Sequence, residues 1–336
     1  MTNAAAKPRV AVIGTGGTIS SLSDDSLDLI DYPDSSRKMT AEEVIARTRE
    51  LDRFATCVPL KFREVGSTKI GPADWIGLAI LIAETEARDP GFAGYVITHG
   101  TATLEETAYF LHLALKIAKP VVVVGAQRPA SALSSDGVMN LIAAVRAAID
   151  PATRGLGVLV VLNDVIHSAR DVSKTNTYRL ETFQSPYYGI LGEVDGDRVS
   201  IYRHGVRKHT VDTPFTVSRG AILPRVDIAY SYAGADGVAI DAFIAAGAKG
   251  LVAAALAPGI VTPEQATAFE KAAAAGVVVV QTTRAGSGRV SRRKYLREKG
   301  IVAADNLNPQ KARVLLMLAL AQTADVETIQ RWFTEF

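Results

Sequence analysis

Two kinds of hydrophobic pattern alternate along the chain. Residues 10–13, 95–98, 121–124 and 158–162 are short, nearly continuous apolar runs rich in β-branched side chains. Such runs suit strands buried on both faces, which need no polar alternation. Each ends in small or polar residues: Gly14-Thr15-Gly16-Gly17-Thr18, His99-Gly100-Thr101, Gly125, and Asn163-Asp164. Segments with helical spacing lie between them. Residues 104–118 carry Leu104, Phe110, Leu111 and Leu115 on one stripe, and residues 140–149 are similar. This alternation predicts a parallel sheet with helices on both faces.

Residues 189–224 change character, with Asp195-Gly196-Asp197, scattered charges, Pro214 and Pro224. They predict a hairpin followed by a linker. A second series then begins. Strands are expected at 226–232, 250–255 and 277–282, and helices at 236–246, 263–275, 308–320 and 325–336. The fold class is therefore α/β: two domains with parallel-type sheets flanked by helices. The N-terminal domain spans 1–206, the linker 207–225 and the C-terminal domain 226–336.

Composition narrows the function classes. Hydrophobic residues make up 48% and charged residues 21%, the balance of a globular chain. Thirty-seven Lys+Arg against 35 Asp+Glu leave a net charge of +2. That is no electrostatic footprint for nucleic acid or anionic lipid, so neither is expected as a partner. One cysteine, Cys57, cannot build a thiolate metal site or an intrachain disulfide. The five histidines show no HExxH or HxH spacing, so no metal is expected. The apolar runs fall far short of the ~20 residues of a membrane span. Residues 1–9 carry two basic residues and run straight into 10–13, without the apolar region of a secretory signal. The expectation is a cytoplasmic protein with a small-molecule substrate.

In open α/β sheets ligands bind beyond the carboxyl ends of the strands. The glycine- and hydroxyl-rich motifs fall there. Gly14–Ile19 (GTGGTI) lacks the third glycine of a dinucleotide fingerprint, since Ile19 stands in its place. It is either a structural turn or a device that presents Thr15 and Thr18, one of them as a nucleophile. In residues 98–106 (THGTATLEE), Thr103 and Glu106 have capping-box spacing, so a helix starts there. Thr101 would then lie just before its N-terminus, where free N–H groups favour negative charge. His99 has no evident acidic partner and reads as structural. Lys174, in Asp171-Val172-Ser173-Lys174-Thr175-Asn176-Thr177, could be a solvated lysine or a desolvated base.

In order along the chain stand GTGGTI, HGT, GAQRPASALSSD at 125–136, DVSKTNT and LNPQKARVLLMLALAQT at 307–323. With these motifs the sequence closely resembles the bacterial-type L-asparaginase/glutaminase family over nearly its whole length. The resemblance implies an asparaginase-like fold and a homotetramer built as a dimer of dimers. It implies hydrolysis of the side-chain amide of L-asparagine to L-aspartate and ammonia through a threonine acyl-enzyme, with no cofactor. By resemblance Thr15 is the nucleophile, Thr101 and Lys174 are the hydroxyl–amine pair, and Tyr32 is the lid tyrosine. Ser67, Thr68, Gly100 and Ala102 are the substrate-binding positions.

Three departures bear on the substrate's α-ammonium group. The family's HGT is followed by aspartate, here Ala102, and its serine by glutamine, here Thr68. Where the family places an acid on the C-terminal domain, residues 284–297 hold Arg284, Arg289, Arg292, Arg293, Lys294 and Arg297 and no acid. Glu298 is the nearest replacement. An alternative expectation is therefore a related hydrolase whose substrate lacks the α-ammonium, a dicarboxylic monoamide or a lactone-like acid. Retention of Thr15, Thr101 and Lys174 argues against a non-catalytic binding module.

Overall fold

The computed structural model describes residues 6–336, Ser35 by its backbone alone. Residues 1–5, on which the expectation for the chain start partly rests, lie outside the described residues. The chain divides into two units. One holds the chain up to Asp212 with Val217–Arg219; the other holds Thr213–Thr216 and Gly220–Phe336.

The first unit is built on β1 (Arg9–Gly14), β2 (Ser21–Leu22), β3 (Arg37–Lys38), β4 (Thr56–Leu60), β5 (Phe92–Thr98), β6 (Val121–Val124) and β7 (Val158–Leu162). It continues through β8 (Val165–Ser168), β9 (Ser173–Lys174), β10 (Phe183–Gln184), β11 (Gly192–Val194) and β12 (Val199–Ile201). Eight of these form one sheet in the order β12-β11-β8-β7-β6-β5-β1-β4. Strands β4, β1, β5, β6 and β7 pair in parallel, as their apolar runs predict. The remaining three are antiparallel, so the sheet is mixed.

The helices are α1 (Tyr32–Ser35), α2 (Ala41–Arg47), α3 (Pro72–Arg88), α4 (Leu104–Ala114) and α5 (Gly137–Ile149). Val10, Val12, Val96, Val122, Val124, Leu159 and Val161 form one buried core with Leu141, Ala144, Val145 and Ala148 of α5. The alternate strand residues, such as Ala11, Ile13, Tyr95, Ile97 and Val123, are equally buried on the opposite face. Helices α3 and α4 pack together through Trp75 and Phe110, whose rings lie 5.6 Å apart. Strand β1 lies between β5 and β4, so the chain leaves β1 for one side and later returns on the other. The β1/β5 boundary is thus a topological switch point, where the carboxyl ends of the strands open a crevice.

The second unit carries β13 (Val226–Tyr230), β14 (Gly250–Ala255), β15 (Val278–Thr283) and β16 (Val302–Ala303), paired in parallel in that order. Its helices are α6 (Val238–Ala245), α7 (Pro263–Ala274), α8 (Lys294–Glu298), α9 (Pro309–Leu320) and α10 (Val326–Glu335). Ile240, Ala268, Phe269 and Ala272 of α6 and α7 cluster with Leu251, Ala253 and Val279 of the sheet. The apolar residues of α9, Val314 to Ala319, are buried within this unit. They therefore present no apolar face for assembly.

Candidate active site

Three glycines bring the site together at the switch point. After β1 the backbone passes through Gly16 (φ 94°) and Gly17 (φ 80°), conformations that side chains disfavour. A Cβ on Gly16 would lie 2.3 Å from the Val65 carbonyl oxygen, and one on Gly17 2.3 Å from Gly100 Cα. One on Gly100 would lie 2.8 Å from Ser67 Oγ. The loop after β1 therefore packs backbone on backbone at Gly16 and Gly17, and the Ser67 side chain lies directly against Gly100 of the loop after β5. Thr18 follows one glycine of this contact and Thr101 follows another.

The two hydroxyls of GTGGTI take opposite directions. Thr15 is 1% exposed. Its Oγ1 donates to the Thr98 carbonyl at 2.8 Å, and its N–H donates to the same oxygen at 3.1 Å. It staples β1 to β5 from within the core. Thr18 is half-buried, and its Oγ1 shares a 3.0 Å hydrogen bond with the Tyr32 hydroxyl. Thr15, expected as the nucleophile, thus donates its hydroxyl to a backbone carbonyl, whereas Thr18 meets a second hydroxyl. The positive φ of Gly16 and Gly17 reverses the chain between the two threonines and turns the second one outward.

Tyr32 opens α1, with Pro33 in its first turn. Its loop is held by the segment after β6. Ala130 N–H donates to the Ser21 carbonyl at 2.9 Å, Ser23 N–H to Ser131 Oγ at 2.9 Å and Leu133 N–H to the Ser26 carbonyl at 3.1 Å. Asp136 shapes that segment by accepting from the Gln127 and Arg128 N–H groups and from Asn140 Nδ2. Burial pushes the Tyr32 phenol up, and the hydrogen bond with Thr18 partly offsets this.

Lys174 Nζ donates to Thr101 Oγ1 at 2.8 Å. Thr101 is buried and Lys174 half-buried. Burial lowers the lysine pKa, which moves the amine toward its neutral, proton-accepting form. His99 is fully buried, with Nδ1 2.8 Å from the Gly100 carbonyl and Nε2 2.9 Å from Thr107 Oγ1. A carbonyl only accepts, so Nδ1 carries the proton and Nε2 accepts from Thr107. Burial pulls the imidazole down to about 4, so it is neutral near pH 7 and fixes the Gly100 peptide.

Helix α4 starts after Thr103, where the spacing predicts a start, but the capping box does not form. The Thr103 hydroxyl donates instead to the Ser67 carbonyl at 2.9 Å, tying two parts of the site. Ser67 is buried, whereas Thr68 and Ala102 are exposed. In the second unit, much of the basic segment is neutralised locally. Arg289 pairs with Asp305, Arg292 with Glu327 and Lys294 with Glu298. Arg284 and Arg293 donate to the Ser231 and Gly259 carbonyls. Glu298, the replacement acid suggested by sequence, is thus engaged by Lys294.

Among the described residues no group of three or more His, Cys, Asp or Glu side chains is arranged to hold a metal ion. No described helix is long and apolar enough to cross a membrane.

Two family profiles match the chain: "Asparaginase, N-terminal" over residues 9–207, and "Glutaminase/Asparaginase C-terminal domain" over residues 225–333. The chain belongs to the asparaginase family. This asparaginase-family chain is 42% identical to L-asparaginase 2 of Bacillus subtilis, covering 98% of this chain and 87% of the relative. It is 40% identical to L-asparaginase 2 of Escherichia coli (99% and 94% covered). It is also 40% identical to a probable periplasmic L-asparaginase of Haemophilus influenzae (99% and 95% covered). A crystal structure of a probable cytoplasmic L-asparaginase from Campylobacter jejuni superposes with a TM-score of 0.95 at 38% identity. It covers 98% of this chain and 100% of that one. The two-domain α/β fold, with its mostly parallel larger sheet, is that of the family.

Proposed function

We propose that this asparaginase-family protein hydrolyses the side-chain amide of L-asparagine to L-aspartate and ammonia, with Thr18 as the nucleophile. The observation that carries the mechanism is the 3.0 Å contact between Thr18 Oγ1 and the Tyr32 hydroxyl. A free threonine hydroxyl is a weak nucleophile and needs a proton acceptor within about 2.6–3.2 Å. Thr18 Oγ1 attacks the amide carbonyl as its proton passes to Tyr32, which gives its own onward. The C–N bond breaks with proton delivery to nitrogen, ammonia leaves, and an ester on Thr18 remains. Water then attacks that ester, releasing the acid and restoring the hydroxyl. Lys174 and Thr101 form the second proton-handling pair, supported by their 2.8 Å bond and the lowered lysine pKa. Ser67, Thr68, Gly100 and Ala102 line the substrate end of the site.

The test is ammonia release from L-asparagine, D-asparagine, L-glutamine and succinamate, with mass spectrometry of the acyl-enzyme trapped at low pH. L-asparagine should have the highest kcat/KM, and the acyl group should map to Thr18. Turnover of succinamate without turnover of L-asparagine would move the substrate class to amides without an α-ammonium group. An acyl group on Thr15 would overturn the nucleophile.

A homotetrameric assembly and a cytoplasmic location belong to the same proposal. The tetramer rests on the family resemblance, and the location on the similarity to the Campylobacter protein. Light scattering at assay concentration and cell fractionation decide them; an active monomer or recovery with the periplasm would refute each.

A further inference from the structure

We propose that Glu105 and Ser173 form a clamp that holds the Lys174 amine against Thr101, which makes both of them positioning residues. The proposal rests on the assignment of Lys174 and Thr101 to proton handling. Lys174 sits on β9, a strand of two residues that pairs with β10 and lies outside the eight-stranded sheet. The connection from β9 to β10 is tied to itself. Thr175 N–H donates to the Thr182 carbonyl at 2.8 Å and Asn176 N–H to Thr182 Oγ1 at 2.8 Å. The N–H groups of Tyr178 and Arg179 both donate to Asn176 Oδ1. The hairpin is thus braced internally, and where it docks determines where the amine lies.

Adjacent residues of β9 grip two points of one segment. Lys174 Nζ donates to Thr101 Oγ1 at 2.8 Å, and Ser173 Oγ donates to Glu105 Oε2 at 2.8 Å. Glu105 lies in the first turn of α4 and is 7% exposed. The free N–H groups of that first turn favour an acidic side chain there, and its Oε2 accepts from the Ser173 hydroxyl at ordinary hydrogen-bond distance. Thr101 leads into the same helix. The Ser173–Glu105 bond therefore fixes the hairpin in the frame that carries the threonine. Proton transfer between hydroxyl and amine needs that frame, because a misplacement of about 1 Å can cost about 100-fold in rate.

The experiment compares Ser173→Ala, Ser173→Thr, Glu105→Gln and Lys174→Met in the full-length enzyme, with kcat and KM for L-asparagine measured across pH. Thermal melts verify folding. Ser173→Ala should lower kcat about 10- to 100-fold with KM changed less than about threefold. Its ascending pH limb should move to higher pH, because a released Lys174 is better hydrated and holds its proton more tightly. Ser173→Thr should restore both, and Glu105→Gln, which keeps an acceptor, should fall between. A structural defect alone would lower the amount of active enzyme and leave the limb in place. Ser173→Ala with an unmoved limb, beside an inactive Lys174→Met, overturns the clamp. Activity retained by Lys174→Met overturns the lysine's assignment and the clamp with it.

Discussion

Thr18 Oγ1 and the Tyr32 hydroxyl lie 3.0 Å apart, while Thr15, three residues earlier, points into the core and donates to the Thr98 carbonyl. Substitutions that keep side-chain shape separate the two roles. Thr18→Val should fold normally and lose turnover by on the order of 10⁴-fold or more. Thr15→Val should remain active and lose about 1 kcal/mol of stability, the net value of one internal hydrogen bond. Steady-state ammonia release and denaturant melts of the two variants check this. A dead Thr15→Val beside an active Thr18→Val would reverse the assignment.

Tyr32→Phe removes the hydroxyl that shares a hydrogen bond with Thr18 Oγ1 and leaves the ring in place. Loss of a positioned proton acceptor typically costs about 10²–10⁴-fold. The fall should appear in kcat, with KM little changed, because the phenol acts on the nucleophile. A KM effect at constant kcat would make Tyr32 a binding residue only.

Lys174→Arg keeps the positive charge and removes the chemistry. A guanidinium stays protonated at every working pH and cannot accept a proton from Thr101. The rate should fall about as far as in Lys174→Met. On the proposed mechanism the active form is the neutral amine, and burial holds its pKa below the ordinary 10.5. kcat/KM should therefore rise with pH until that pKa is passed, and the rise should be absent from both variants. An arginine variant of near wild-type rate would make Lys174 an electrostatic residue.

His99 gives a stability signal. Its folded pKa of about 4 lies below the ordinary 6.5, so the fold favours the neutral ring. The unfolded chain takes up this proton first. Stability should be complete above pH 6.5 and fall as pH drops from 6.5 toward 4, by on the order of 3 kcal/mol for this one group. Denaturant unfolding of the wild type and His99→Asn across that window measures it. An equal acid loss in the variant would assign the effect to other groups.

Strands β1, β5, β6 and β7 were legible because each is buried on both faces and reads as an uninterrupted apolar run. Strand β4 was not: Thr56–Leu60 contains Pro59, which argues against a central strand, yet β4 lies at the sheet edge, where a missing N–H is tolerated. The motif after β1 offered two hydroxyls, and spacing alone could not choose between them. The choice depends on the positive φ of Gly16 and Gly17, a property of the folded backbone. The pairing of Lys174 with Thr101 followed from family resemblance. The neighbouring bond of Ser173 to Glu105 carries no local signal, because 68 residues separate the partners. Counting charges over residues 284–297 overstated the free positive charge, since Asp305 and Glu327 reach that segment from elsewhere in the chain.

The contact of Gly17 with Gly100 gives the sharpest test of how the site is assembled. Gly17 has φ 80° and ψ −174°, a region essentially confined to glycine. A methyl there would meet Gly100 Cα and N at 2.3 Å, backbone atoms that no side-chain rotation can move away. Gly17→Ala should cost about 1–3 kcal/mol for the strained conformation alone. It must also push the Thr18 loop off the Thr101 loop, so kcat should fall by about 100-fold even where the protein is fully folded. Gly71→Ala is the control, since its backbone is extended and no atom lies within 4 Å of the added carbon. That variant should keep wild-type kcat. Assays well below each variant's Tm separate rate from unfolding. If Gly17→Ala is destabilised but turns over at the wild-type rate, the glycine contact serves the fold and does not set Thr18 against Thr101.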